Sequence, residues 1–153
     1  MDWGLFFTYL AACGAAAASG ALIKPGPWYA ALAKPRWTPP DWAFPLVWTS
    51  LYLCMSFAAQ RVAGLPEAAQ AIAFWSIQIA LGTLWTPVFF GLKRMRAALW
   101  VMAALWISVL ATFVSFLMVD LVAGLVLAPY MVWVSVAALL NIQMVRLNPT
   151  EAG

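Results

Sequence analysis

The sequence predicts an all-α protein built as a five-helix transmembrane bundle with a long, partly ordered first loop, one domain over residues 1–153. Three observations predict it. First, 66% of the residues are apolar and 8% are charged, against roughly a quarter charged in a soluble domain, so lipid rather than water must cover much of the surface. Second, charge-free runs cover 3–23, 42–60, 68–92, 97–119 and 121–145, each near the ~20 residues a helix needs to cross a hydrocarbon core. Third, runs such as Ala97–Val119 are apolar in every register, without the two-residue alternation of a transmembrane barrel strand. A backbone in lipid must satisfy its own hydrogen bonds, so these runs are helices.

The expected spans are 3–23, 43–61, 68–91, 97–119 and 123–146. The first opens Met1-Asp2-Trp3 without the basic n-region of a signal peptide, and so reads as a retained helix. It carries small residues four apart, Ala12-Ala16-Gly20 and Ala11-Ala15-Ser19, a stripe suited to close helix contact within or between chains. The connection Lys24–Asp41 contains Pro25, Pro27, Pro35, Pro39 and Pro40 with Trp28, Tyr29 and Trp37, too aromatic for a solvated linker. It reads as a packed lid, with a short helix over Trp28–Ala33. The connection at Asp120–Gly124 is so short that its two helices must be antiparallel neighbours, and Asp120 is expected at the membrane interface.

Composition also excludes functions. The absence of histidine removes imidazole-ligated zinc or haem and Ser-His-Asp or Cys-His nucleophiles. Cys13 and Cys54 lie in apolar runs and do not make a disulfide scaffold, no metal-binding acid cluster is visible, and a net charge of +3 is too small and scattered for nucleic-acid binding. With the N-terminus outside and the C-terminus inside, Lys24, Lys34, Arg36, Lys93, Arg94, Arg96 and Arg146 lie inside and Arg61 alone lies outside, a strong positive-inside bias in an integral multi-pass protein.

The candidate site comes from helical spacing. Phe44, Trp48 and Tyr52 share one face of the second span. In the third, Gln78, Gly82, Trp85 and Phe89 recur at four, three and four; in the fifth, Tyr130, Trp133, Ala137 and Asn141 recur at three, four and four. Amides are costly against lipid, so the stripes should face inward. They describe either bundle core or a cavity whose ring-lined walls would stack on a flat hydrophobic guest.

The chain resembles the bacterial tryptophan-rich sensory proteins and the mitochondrial translocator proteins, also called peripheral-type benzodiazepine receptors. The resemblance lies in WYAALAKPRWTPP (28–40), FPLVWTSLY (44–52), LWTPVFFGLKRM (84–95) and APYMVWVSVAALLNIQMVRLN (128–148), in order along nearly the whole chain. It implies a homodimer in the lipid bilayer of a bacterium, needing no cofactor. It further implies a receptor or sensor for protoporphyrin IX and for isoquinoline or benzodiazepine-type ligands, in a cavity closed by the first loop and linked to tetrapyrrole regulation. Trp48 and Trp133 match the tryptophans implicated in light-dependent protoporphyrin IX breakdown, and would be the catalytic pair if that photochemistry operates. Ala137 matches a drug-pocket position, and Trp37, Pro39 and Pro40 match the loop motif. Translocation of tetrapyrroles or sterols is the other activity the resemblance suggests. Two departures stand out: Gly82 replaces a common asparagine, and NIQMVR (141–146) lacks the tyrosine of the sterol pattern.

Overall fold

A computed structural model describes all 153 residues. The helices are α1 (Trp3–Leu22), α2 (Pro27–Ala31), α3 (Ala43–Ala63), α4 (Ala68–Thr86), α5 (Met95–Val119) and α6 (Leu121–Leu147), and a single π-helical turn, Pro87–Gly91, prolongs α4. The expected five-helix transmembrane bundle is therefore corrected. There are six α-helices, and four segments are long and apolar enough to cross a membrane: Trp3–Leu22, Ala68–Gly91, Met95–Val119 and Leu121–Leu147. The helix α3 is long enough but falls short in apolar character. Its run lacks charge as far as Gln60, yet it holds Thr49, Ser50, Ser56 and Gln60 among its apolar residues. Absence of charge is a weaker condition than hydrophobicity, because neutral polar side chains also resist transfer into hydrocarbon.

Asp2 starts α1 by accepting the Leu5 amide at 2.9 Å, and its own amide donates to Gln60 Oε1 at 3.1 Å. The helices then run alternately between this end and the opposite one. One residue, Asp120, reverses the chain between α5 and α6, in an extended conformation (φ −148°, ψ 109°) with its carboxylate on the Ala123 amide. The sharp reversal brings Gly124 so close to α5 that an added Cβ would lie 2.7 Å from Leu117 Cα. Arg61 at the end of α3 reaches the same corner and pairs with Asp120 at 2.7 Å.

The main core lies where α3, α5 and α6 meet, around Met55, Val109, Phe116, Leu127 and Val134, with Cys13 and Trp75 contributed by α1 and α4. In the small-residue stripe of α1, Ala16 is buried, Ala12 is half-buried, and Ala11 and Ala15 remain exposed. A second, smaller core forms at the far end from Leu32, Phe89, Met95, Ala98, Met144 and Ala152. There the chain's last residues fold back, and the Ala152 carbonyl accepts the Arg96 amide at 3.0 Å. That bond satisfies one of the orphan N–H groups at the start of α5.

Candidate functional site

The spacing of four in α3 sets Phe44, Trp48 and Tyr52 along one edge, and α6 brings Tyr130 and Trp133 against it. Ring centroids are 5.7 Å apart for Phe44–Trp133, 6.2 Å for Trp48–Tyr130 and 5.5 Å for Trp48–Tyr52. The first two pairs meet at interplanar angles of 68° and 64°. Edge-to-face contact puts the positive rim of one ring on the negative face of the next, a contribution of about 0.5–1.5 kcal/mol per pair beyond burial. Ala137, half-buried, packs against the main core one turn beyond Trp133. One polar atom in this sector is unsatisfied: the Trp133 Nε1–H is buried without an acceptor.

The amides expected to face inward do so, and their bonding capacity goes largely to holding helices together. The Tyr130 hydroxyl donates to Gln78 Oε1 at 2.7 Å, and Gln78 Nε2 points its hydrogen at Met55 Sδ, 3.6 Å away. Trp85 Nε1 donates to Asn141 Oδ1 at 3.0 Å, while Asn141 Nδ2 donates to the Met95 carbonyl at 3.2 Å. A comparable link, Trp106 Nε1 to Ser135 Oγ at 2.9 Å, joins α5 to α6 and belongs to none of the stripes read from the sequence. Gly82 borders open space, since a Cβ there would meet nothing within 4 Å.

Trp85 continues into a second aromatic group under the first loop. It stacks on Phe89 at 4.8 Å and 24°, and Phe89 and Phe90 touch edge to face at 4.8 Å. The π-helical turn makes this possible. Pro87 has no N–H to give α4, and the wider turn, closed by Leu92 N–H to Pro87 O at 2.8 Å, sets both phenylalanines toward the loop. The loop's short helix lays Trp28 over Phe89 at 6.1 Å and Tyr29 over Phe90 at 5.2 Å, with the Lys34 ammonium 4.5 Å from the Tyr29 ring centre. Burial against Phe89 and Phe90, with the nearby Asp41 carboxylate second, pushes the Tyr29 phenol above its ordinary pKa. The loop is thus packed down as a lid.

Of the loop residues expected at the site, Trp37 is 49% exposed, Pro39 is half-buried and Pro40 is exposed, and none belongs to either aromatic group. The site list read from the sequence omitted Trp28 and Tyr29, aromatics between prolines, Phe90, an aromatic shortly after Pro87, and Asn148, which had no signal beyond closing the last motif. Two hollows lie away from the aromatic sector. One is an apolar crease of ≈ 370 Å³ between α4 and α5, beside Ile77, Leu81 and Ile107. The other is a polar hollow of ≈ 320 Å³ at the Asp2 end, beside Gln60, Arg61 and Asp120. In the aromatic sector itself the groups on offer are π-faces, the buried Trp133 N–H, the Trp48 N–H and the Tyr52 hydroxyl, which suit stacking and hydrogen bonding rather than proton transfer.

Comparison with known proteins shows the family. The model of the TspO/MBR family matches residues 6–147. The chain is 55% identical over 148 residues to the tryptophan-rich sensory protein of Cereibacter sphaeroides, covering 97% of this chain and 94% of that one. It is 49% identical over 155 residues to protein CrtK of Rhodobacter capsulatus, with 99% and 97% covered. It is 34% identical over 119 residues to the human translocator protein, with 74% and 70% covered. A match over nearly the whole chain, together with these identities, means that the protein belongs to the TspO/MBR family.

Proposed function

We propose that this multi-pass membrane protein is a receptor that binds protoporphyrin IX and other planar hydrophobic ligands between α3 and α6, as part of tetrapyrrole-linked regulation. The observation that carries the reading is the buried Trp133 N–H without an acceptor, in a wall of rings formed with Phe44, Trp48 and Tyr130. An unsatisfied buried donor costs about 1–3 kcal/mol. A flat guest that wedges between the rings and presents an acceptor to Trp133 would recover that cost and gain stacking on both sides. Membership in a family that includes translocator proteins supports the same ligand class.

The excess of basic residues at the lid end supports an orientation with that end inside, and the bacterial relatives support a bacterial membrane. The exposed small residues Ala11, Gly14, Ala15 and Ala18 on α1 are the surface on which a second copy would pack. The test of the receptor reading is a dark titration of detergent-purified protein with protoporphyrin IX, followed by tryptophan quenching. Saturation near one porphyrin per chain, weakened in Trp133→Phe, is the expected result; linear, unsaturable quenching would refute it. Illuminating the complex then separates a receptor from light-driven porphyrin breakdown, which requires a defined product over many turnovers with Trp48 and Trp133 intact.

A further inference from the structure

We infer that Asn148 is the latch of the lid: it fastens the first loop to the end of α6 and sets the rate at which a ligand passes into and out of the bundle. The inference rests on the receptor reading for the ligand, and on the lid's own bonding for the latch. The Ala33 N–H donates to Asn148 Oδ1 at 2.9 Å, and Asn148 Nδ2 donates to the Ala33 carbonyl at 2.9 Å. One side-chain amide thus pairs with both polar groups of a residue 115 positions away, as a neighbouring strand would. Its second N–H goes to the Met144 carbonyl at 2.9 Å, anchoring it to the last turn of α6. Asn148 is only 9% exposed, so its amide is shielded on the helix side, while Ala33 is exposed and leaves the pair open to water from the loop side.

These are the only two hydrogen bonds that tie residues 24–38 to the helices. The others in that stretch are local: Ala30 to Gly26, Leu32 to Tyr29 and Thr38 to Pro35, with Lys34 reaching back to Ala30. Everything else holding the lid is apolar contact, Leu32 in the smaller core with Trp28 and Tyr29 on Phe89 and Phe90. Apolar contacts have no fixed direction and tolerate sliding, whereas a two-point amide pair has one register. Pro25, Pro27, Pro35, Pro39 and Pro40 stiffen both flanks, so release at Ala33 would free the lid as a plate rather than fray it. Beneath it lies Phe89, stacked on Trp85, which packs against both the smaller core and the main one.

The test compares wild type with Asn148→Ala, which removes both bonds, and Asn148→Asp, which retains the acceptor for Ala33 N–H and loses the donor. Hydrogen–deuterium exchange of the peptide covering Trp28–Arg36 reads the latch without any ligand. At about 1 kcal/mol each, two net hydrogen bonds predict roughly thirtyfold faster exchange there in Asn148→Ala, faster exchange also in Asn148→Asp, whose second oxygen would face the Ala33 and Met144 carbonyls, and unchanged exchange in α3 and α5. Stopped-flow quenching with protoporphyrin IX reads the gate: association and release should accelerate together by a similar factor, with the equilibrium affinity changed by less than about threefold. A merely structural loss would weaken affinity and loosen the whole bundle instead. Unchanged exchange at Trp28–Arg36 would overturn the latch. Faster exchange with unchanged porphyrin rates would overturn its control of the ligand's path. Failure of wild type to bind porphyrin saturably would overturn the receptor reading, with the exchange data still deciding whether Asn148 holds the lid.

Discussion

Trp85 and Asn141 are joined across the α4–α6 interface by an indole N–H to amide oxygen bond of 3.0 Å. The same amide carries the Met95 carbonyl at the start of α5, so one side chain pins three helices. Asn141→Leu keeps the branched shape, with bulkier methyl ends, but leaves the Trp85 N–H and the Met95 carbonyl unpaired. Interhelical hydrogen bonds in membranes contribute about 0.6–2 kcal/mol each, so the variant should lose about 2 kcal/mol in detergent-titrated unfolding. An unchanged midpoint would mean that the bonds are replaced by lipid or water.

Trp133→Phe should behave in the opposite way. Its indole N–H has no partner, so removing it deletes a buried, unsatisfied donor while keeping the ring against Phe44. Stability should stay within about 1 kcal/mol of wild type or rise, while protoporphyrin IX affinity falls about tenfold, as loss of one buried hydrogen bond implies. Equal loss of stability and affinity would assign Trp133 to packing alone.

Two glycines on the inner helices should respond with opposite signs. At Gly124 a new methyl would press on Leu117 backbone, and Gly124→Ala should cost about 1–3 kcal/mol by forcing α5 and α6 apart. At Gly82 the same methyl meets nothing within 4 Å, and Gly82→Ala should stabilise by about 0.5–1 kcal/mol through backbone entropy. Thermal unfolding of both variants in one detergent checks the pair.

The Arg61–Asp120 corner should give a pH dependence. The Arg61 guanidinium and then the Ala123 amide hold the Asp120 carboxyl below its ordinary value. A depressed folded-state pKa contributes stability that is fully present above the unfolded carboxylate pKa of about 3.9. That contribution is lost as pH falls through the lower, folded value. Asp120→Asn, which keeps an acceptor for the helix cap, should cost no more than about 1 kcal/mol at neutral pH, less at high salt, and nothing in strong acid. Asp120→Ala should cost about 1 kcal/mol more, because α6 then loses its N-cap as well. A Asp120→Asn difference from wild type that persists undiminished in strong acid would show that the ion pair is not its source.

Much of the site was legible because helical spacing fixes a face. The periods in α3, α4 and α6 predict Trp48, Gln78, Trp85, Tyr130 and Asn141 inward, and the structure pairs them with one another. The lid was legible as aromatics among prolines, and its short helix, Pro27–Ala31, overlaps the expected Trp28–Ala33 but starts one residue earlier and ends two earlier. Less legible was the number of spans. Counting charges alone passed over Thr49, Ser50 and Ser56, and the second expected span became a helix less apolar than its neighbours. Asn148 carried no signal, since an asparagine after a helix reads as an ordinary end.

What the sequence determined by itself was the solvent and the faces. Composition forces a lipid environment, and period decides which side of each helix looks inward. It also carried the family, through four motifs in fixed order. Partners were decided only by the tertiary structure: that Asn141 serves Trp85 and Met95, that Asn148 takes Ala33 115 residues away, and that Trp133 is left without an acceptor. The reason is range. Periodicity arises from bonds between residues three or four apart, whereas a hydrogen bond between helices depends on their relative depth and rotation to within a few tenths of an ångström. Those are set by the whole packed bundle, including the one-residue turn at Asp120 and the π-helical turn after Thr86.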